Sequence, residues 1–273
     1  MSVDADTDAL AARDLLLSAA REAGALALEY FNPGARTSAR VVTKAGGSPV
    51  SDADLAADSL LKRRLQEALP DAGWLSEETV DDFERLSRRS LIIVDPIDGT
   101  RAFVIGDPRW AVSAALVIDE RPVAGVVYAP ALDETYAAAR GAGATFNGAS
   151  LSPSVGWPPR AAAGPKLIIE AMATEIGASI EIVPRVPSLA YRLCMTARGA
   201  VDFAVSAQNS SDWDIAAADI LLEESGARLA DASGERLRYN SRHVRRSALL
   251  AAPDAALPRL IKGFRVATST SPG

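Results

Sequence analysis

Between residues 4 and 30 the apolar positions fall at Ala12, Leu15, Leu16, Ala19, Ala23, Leu26, Ala27 and Tyr30. Steps of three and four predict an amphipathic helix, closed by Asn32-Pro33-Gly34. Residues 36–49 are polar and carry Lys44-Ala45-Gly46-Gly47-Ser48-Pro49, which reads as a mobile loop. Ser51-Asp52-Ala53-Asp54 starts a second helix, continued by Leu55, Leu61, Leu65 and Leu69 up to Pro70. A short apolar piece, Gly73-Trp74-Leu75, leads into Ser76-Glu77-Glu78. The period then shortens. Leu91-Ile92-Ile93-Val94 is a buried strand, and residues 111–118 and 122–128 form a hairpin through Asp119-Glu120-Arg121. Residues 135–139 and 144–146 extend it into an antiparallel meander.

A Pro-, Ser- and Gly-rich stretch over residues 150–164 marks a boundary. Beyond it, strands at 167–169, 180–183 and 200–205 alternate with helices at about 188–198 and 214–225, an α/β pattern. The last dozen residues read as a frayed end. The expected organisation is an α+β half over 1–150 and an α/β half over 151–265, forming one compact unit. No internal repeat interrupts it.

Composition narrows the class. A chain of 273 residues, 48% hydrophobic, supports a proper core, and its formal charge of −6 lacks the basic footprint of a nucleic-acid polymer binder. No apolar run nears the length of a membrane span, and the start Met1-Ser2-Val3-Asp4 does not read as a signal peptide. The single cysteine, Cys194, forms no internal disulfide, which fits a cytoplasmic protein, and it falls in a helical core pattern. The single histidine, His243, lies in a basic surface segment. Serine or cysteine triads and His/Cys zinc sites are therefore poor readings. A metal in this chain would be held by oxygens, which favours magnesium.

The chemistry concentrates where the buried strand ends. Leu91-Ile92-Ile93-Val94 runs straight into Asp95-Pro96-Ile97-Asp98-Gly99-Thr100. An unpaired acid at the end of a buried strand is costly, and a bound cation removes that cost. Two acids separated by a proline bend can converge on one divalent ion, beside backbone N–H groups and a hydroxyl, an arrangement suited to metal-assisted chemistry on a phosphate. Glu77-Glu78, Asp52 with Asp54, and Asp214 are further acids; alone, each also fits a solvated pair, a helix cap or a helix start.

Taken together, Asp54, Glu77, Asp95, Asp98, Thr100 and Asp214 resemble, in order and spacing, the inositol monophosphatase-like family of magnesium-dependent, lithium-sensitive phosphatases. Asp95-Pro96-Ile97-Asp98-Gly99-Thr100 is similar to that family's first signature. Trp213-Asp214-Ile215-Ala216-Ala217 followed by Glu223-Glu224-Ser225-Gly226-Ala227 is similar to its second. The resemblance, running from about residue 10 to 250, implies the layered αβαβα sandwich of the inositol monophosphatase / fructose-1,6-bisphosphatase type. An antiparallel sheet would lie in the first half, a mixed sheet in the second, and the site between them. It implies that Glu77, Asp95 and the Ile97 carbonyl bind one magnesium, that Asp95, Asp98 and Asp214 bind a second, and that a looser third ion lies near Glu77. It further implies that Thr100, held by Asp54, takes a proton from the attacking water. Gly99 and Thr100 N–H groups would hold phosphate oxygens, and Trp213 would pack to fix Asp214.

For the substrate, a small phosphorylated metabolite, the family offers inositol phosphates, 3'(2'),5'-bisphosphate nucleotides, histidinol phosphate and fructose bisphosphate. Ser48-Pro49-Val50, Leu75-Ser76-Glu77-Glu78, Arg101 and Ser210-Ser211-Asp212-Trp213-Asp214 lean toward the bisphosphate nucleotidase branch, with Arg101 offered to a second phosphate. Ala102 matches neither branch, and Ala207-Gln208 stands where inositol phosphatases tend to place a ring-gripping glutamate. Inositol monophosphatase, histidinol phosphatase, and a catalytically weak regulatory or binding member remain as alternatives. The resemblance fits a monomer or a homodimer.

Overall fold

A computed structural model describes residues 9–154 and 156–269. Helix α1 (Ala9–Leu28) matches the predicted helix within the described residues. The stretch 36–49 is not simply a loop. It contains an antiparallel hairpin, β1 (Val41–Thr43) and β2 (Pro49–Ser51), turned at Lys44-Ala45-Gly46-Gly47-Ser48. Helix α2 (Asp52–Ala68) follows at once.

Strands β3 (Gly73–Ser76) and β4 (Ser90–Asp98) pair in parallel. After the short helix α3 (Thr100–Ile105) come β5 (Ala111–Ile118), β6 (Arg121–Ala129), β7 (Glu134–Ala139), β8 (Gly143–Phe146) and β9 (Ala149–Ser150). The seven strands form one sheet in the order β3-β4-β5-β6-β7-β8-β9, antiparallel except for β3–β4. The predicted meander is thus present, with one parallel pair added at its edge.

Five elements of the second half differ from, or add to, the sequence reading. Residues 167–169 are not a strand: after β10 (Ala161–Ala163) they lie in helix α4 (Lys166–Ile176). Strand β11 (Glu181–Ile182), helix α5 (Leu189–Ala197), strand β12 (Phe203–Ser206) and helix α6 (Asp212–Ser225) stand where expected. Strands β13 (Ala227–Ala230) and β14 (Leu249–Pro253) complete a five-stranded mixed sheet, β11-β10-β12-β14-β13. The chain closes on helix α7 (Leu257–Ser269), so most of the expected frayed end is helical; residues 270–273 lie outside the described residues.

Strand alternation builds the layers. Ile92 and Val94 of β4, with Val112 and Ala114 of β5, pack against Leu16, Ala20, Leu61 and Leu65 of α1 and α2. Leu91 and Ile93 face the opposite way, onto Leu193, Cys194, Ile215 and Leu222 of α5 and α6. The same cluster takes in Ala204, Leu249 and Ala251 from the inner face of the second sheet. Phe203, Val205 and Leu250 on its outer face meet Met172 of α4 and Leu260 and Phe264 of α7. Helices, sheet, helices, sheet, helices is the expected αβαβα sandwich. Gly125 makes one contact between layers possible. A Cβ there would stand 2.5 Å from Ile220 Cγ2 and 2.8 Å from the Ala217 carbonyl oxygen, so only glycine lets α6 lie against β6. Cys194 is fully buried in the shared core, and His243 is exposed. Among the described residues, no helix is long and apolar enough to cross a membrane.

Candidate metal centre and active site

Backbone register brings the acids together. β3 and β4 run in parallel with Ser76 beside Val94, so the next residues, Glu77 and Asp95, are delivered side by side. Within β4, Asp95 faces Ser113 and Asp98 faces Ala111, so one extra residue is accommodated at Pro96-Ile97. A regular strand would turn residues three apart to opposite sides. The bulge turns Asp95 and Asp98 to one cleft, and proline suits it because a bulge needs no ladder N–H there.

Asp54 and Asp214 are placed by one device used twice. Each is the third residue of a helix capped by serine, and each carboxylate reaches back to its cap in a capping box. Asp54 Oδ2 accepts the Ser51 N–H at 2.7 Å, and Asp214 Oδ2 accepts the Ser211 N–H at 2.7 Å. The helix-cap reading of these acids is thus seen in the structure, and capping leaves each carboxylate at the start of its helix. Asp214 reaches the cleft from the middle helical layer, and Trp213 beside it is partly buried, its carbonyl accepting the Ser113 hydroxyl at 3.2 Å.

Carboxylate oxygens of Glu77, Asp95 and Asp214 lie within 4.8 Å of one another. Asp98 lines the same cleft but is not in that tight trio. Its Oδ2 accepts Ser188 Oγ and the Ala190 N–H, both at 2.6 Å, which ties the end of β4 to the start of α5. Gly99 is required at this junction: its φ is +94°, and a Cβ would stand 3.2 Å from the Ser188 nitrogen.

The Thr100 hydroxyl lies 3.0 Å from Asp54 Oδ1 and 3.0 Å from the Ile97 carbonyl. Asp54 also accepts Ser51 Oγ at 2.6 Å. Donating to Asp54 leaves the Thr100 oxygen lone pairs free to accept a proton. The Ile97 carbonyl, with two lone pairs, keeps one acceptor site beyond its contact with Thr100.

The electrostatics of the cleft suit a cation. Burial first, then the charges of Glu77, Asp98 and Asp214, hold the Asp95 carboxyl well above the usual range. Burial and then Asp98 push Asp214 up to about 8. Burial raises Asp98 to about 6, against the bonds from Ser188 and Ala190, and it raises Asp54 as well. Clustered oxygen donors that cannot all be charged together fit a hard divalent ion, whose charge would relieve the repulsion.

Lys44 was not foreseen as part of the site. From the β1–β2 turn its Nζ lies 3.0 Å from Glu77 Oε1 and 2.8 Å from Glu78 Oε2. Arg185 also lines the cleft. Arg101, the expected second-phosphate residue, is exposed at the cleft mouth, its Nη2 donating to the Gly47 carbonyl at 3.3 Å.

A layered sandwich with acids gathered between its sheets defines an oxygen-donor metal hydrolase. The model of the inositol monophosphatase family matches residues 11–267. The chain is 31% identical over 254 residues to inositol monophosphatase 2 of Solanum lycopersicum, covering 85% of this chain and 91% of that one. It is 38% identical over 248 residues to a histidinol-phosphatase of Mycobacterium tuberculosis, covering 82% and 89%. A 3'(2'),5'-bisphosphate nucleotidase of Aggregatibacter actinomycetemcomitans is 30% identical over 219 residues, covering 75% and 80%. The inositol monophosphatase of Thermotoga maritima superposes with a TM-score of 0.81 at 26% identity, covering 95% of this chain and 99% of that chain. The chain belongs to the inositol monophosphatase family and is a magnesium-dependent phosphomonoester hydrolase. Inositol monophosphatases and histidinol-phosphatases stand among its relatives beside the nucleotidase, so the comparisons support the family as a whole and do not single out the nucleotidase branch.

Proposed function

We propose that the chain releases inorganic phosphate from a small phosphorylated alcohol of the inositol phosphate or histidinol phosphate kind. The observation that carries the chemistry is the convergence of Glu77, Asp95 and Asp214 within 4.8 Å. In this reading Glu77, Asp95, Asp98, Asp214 and the Ile97 carbonyl hold two or three magnesium ions. Bound there, the ions activate water, screen the phosphate dianion and stabilise the leaving alkoxide. Thr100 accepts a proton from the attacking water while its own proton passes toward Asp54, 3.0 Å away. Gly99 and Thr100, at the cleft floor, present backbone N–H groups to the phosphate oxygens. Residues of both halves are needed, so 1–150 and 151–265 act as one catalytic unit.

The substrate reading is supported by the relatives of known name, 38% and 31% identical over more than four-fifths of this chain. A bisphosphate nucleotide is the second reading. It is supported by a set of basic side chains beside the cleft, Arg185 among them. The test compares phosphate release from inositol 1-phosphate, histidinol phosphate and adenosine 3',5'-bisphosphate at equal magnesium. A preference of more than about tenfold (~1.4 kcal/mol) for either of the first two supports the leading reading. The same preference for the bisphosphate replaces it with the second.

A further inference from the structure

Helix α2 carries a second acid at a core position. Its buried stripe runs through Asp54, Asp58, Leu61 and Leu65, in steps of four, three and four. One helical face thus starts with two carboxylates and continues with two leucines. Asp54 is accounted for by its cap and by Thr100. Asp58 is only 7% exposed and does not line the metal cleft. Burying a carboxylate on a core stripe costs free energy that a leucine would not.

The two Asp58 oxygens reach one short turn. The Ser76 hydroxyl donates to Oδ1, and the Thr79 hydroxyl donates to Oδ2 at 2.9 Å. Ser76 and Thr79 stand on either side of Glu77-Glu78. The Ser76 oxygen also accepts the Glu78 N–H at 3.2 Å, and the Thr79 oxygen accepts the Trp74 Nε1–H at 3.3 Å. One carboxylate therefore closes both ends of the turn that presents Glu77.

That turn needs a hold from outside itself. The register of β3 with β4 ends at Ser76, so Glu77 lies just past the paired residues. Residues 77–83 belong to no helix or strand. Lys44 takes the Glu77 carboxylate itself, so it occupies that side chain rather than aiming it. Asp58 is anchored in the middle of a seventeen-residue helix and holds the turn by its neighbours, leaving the Glu77 oxygens free.

We infer that Asp58 is a positioning residue of the metal centre: it fixes residues 76–79 through the Ser76 and Thr79 hydroxyls and so aims Glu77 at the ion. Helix α2 then serves the site twice. Asp54 holds the Thr100 hydroxyl, and Asp58, one turn further along the same face, holds the Glu77 turn. Asp58 has this role only because Glu77 binds the ion, so it rests on the phosphomonoesterase reading.

The test measures the apparent Kd of magnesium for the folded protein, by calorimetric titration without substrate. Groups that orient a metal ligand are commonly worth about 10–100-fold in metal affinity, so Asp58→Ala should weaken binding about tenfold or more. The magnesium needed for half-maximal phosphate release should rise by a similar factor. Asp58→Asn keeps an acceptor for one hydroxyl and a donor for the other, so it should bind within about threefold of the unaltered chain. Leu260→Ala, in the remote core under α4 and α7, should lower Tm and leave the Kd unchanged. Adding Ser76→Ala to Asp58→Ala should change the Kd little further, since both remove one contact.

An unchanged Kd for Asp58→Ala at a lowered Tm makes Asp58 a packing residue and overturns the role. Equal weakening by the Asn and Ala variants assigns the effect to charge and overturns it too. If Asp58→Ala does not fold, Thr79→Val, at a partly exposed position, carries the test: about threefold weakening is expected, and none overturns the role. No magnesium binding by the unaltered chain overturns the metal reading itself, and the role of Asp58 with it.

Discussion

Lys44 Nζ stands 3.0 Å from Glu77 Oε1, so a lysine from the β1–β2 turn pairs with an acid of the metal cleft. Burial works to lower the Lys44 pKa, but the bonds and charges of Glu78 and Glu77 outweigh it and the ammonium is held. Lysine here neutralises charge that a divalent ion would otherwise neutralise. Lys44→Met should therefore lower the Tm of the chelated protein and reduce the magnesium needed for half-maximal thermal stabilisation by about threefold to tenfold. A Tm titration with magnesium checks this. An unchanged midpoint would mean that lysine and ion do not compete.

The buried acids predict how stability depends on pH. Asp98 at about 6 and Asp214 at about 8 in the folded chain both lie above aspartate's ordinary value of 3.8, and Asp95 is held well above that value too. Between those values the folded state binds more protons than the unfolded state. Stability in chelator must therefore fall as pH rises from about 4 through 8. Saturating magnesium should remove most of that fall. Asp219, remote from the cleft and pushed to about 7 by burial, keeps a smaller one. Chemical denaturation at a series of pH values, with and without magnesium, measures both. A chelated protein more stable at pH 8 than at pH 5 would contradict the packing of these acids.

Much of this was legible in the sequence because it is local. The run from Leu91 to Val94 ending in Asp95 has a strand's period and an abrupt change of polarity, and the serines before Asp54 and Asp214 are helix-start signals. Leu167-Ile168-Ile169 misleads because a short apolar run fits a strand or a helix equally. Gly177, in the left-handed conformation at the end of α4, was the arbitrating signal. Residues 36–49 hide a hairpin because its strands are three residues each, and its charged turn points to a partner over thirty residues away. Lys44 and Arg185 could not be found by spacing, since tertiary packing and not the local pattern carries them to the cleft.

The base role proposed for Thr100 rests on its hydroxyl, 3.0 Å from Asp54, and not on the size of the side chain. Thr100→Val should lower kcat by about 10²–10⁴-fold, the usual worth of a positioned base. Thr100→Ser should keep most of the rate. Magnesium stabilisation of Tm should persist in both, separating proton transfer from metal binding. Equal kcat for the valine and serine variants would remove Thr100 from the reaction.

The central claim is that carboxylates brought from β3, β4 and α6 form one magnesium-dependent centre for phosphate release. Its most direct measurement is phosphate release by Asp95→Asn beside the unaltered chain, on the best substrate, across a magnesium titration. With the fold verified by circular dichroism, turnover should drop at least about a hundredfold, since a donor shared between ions is lost, and magnesium should no longer raise Tm. Near-normal turnover with the usual magnesium dependence would contradict it.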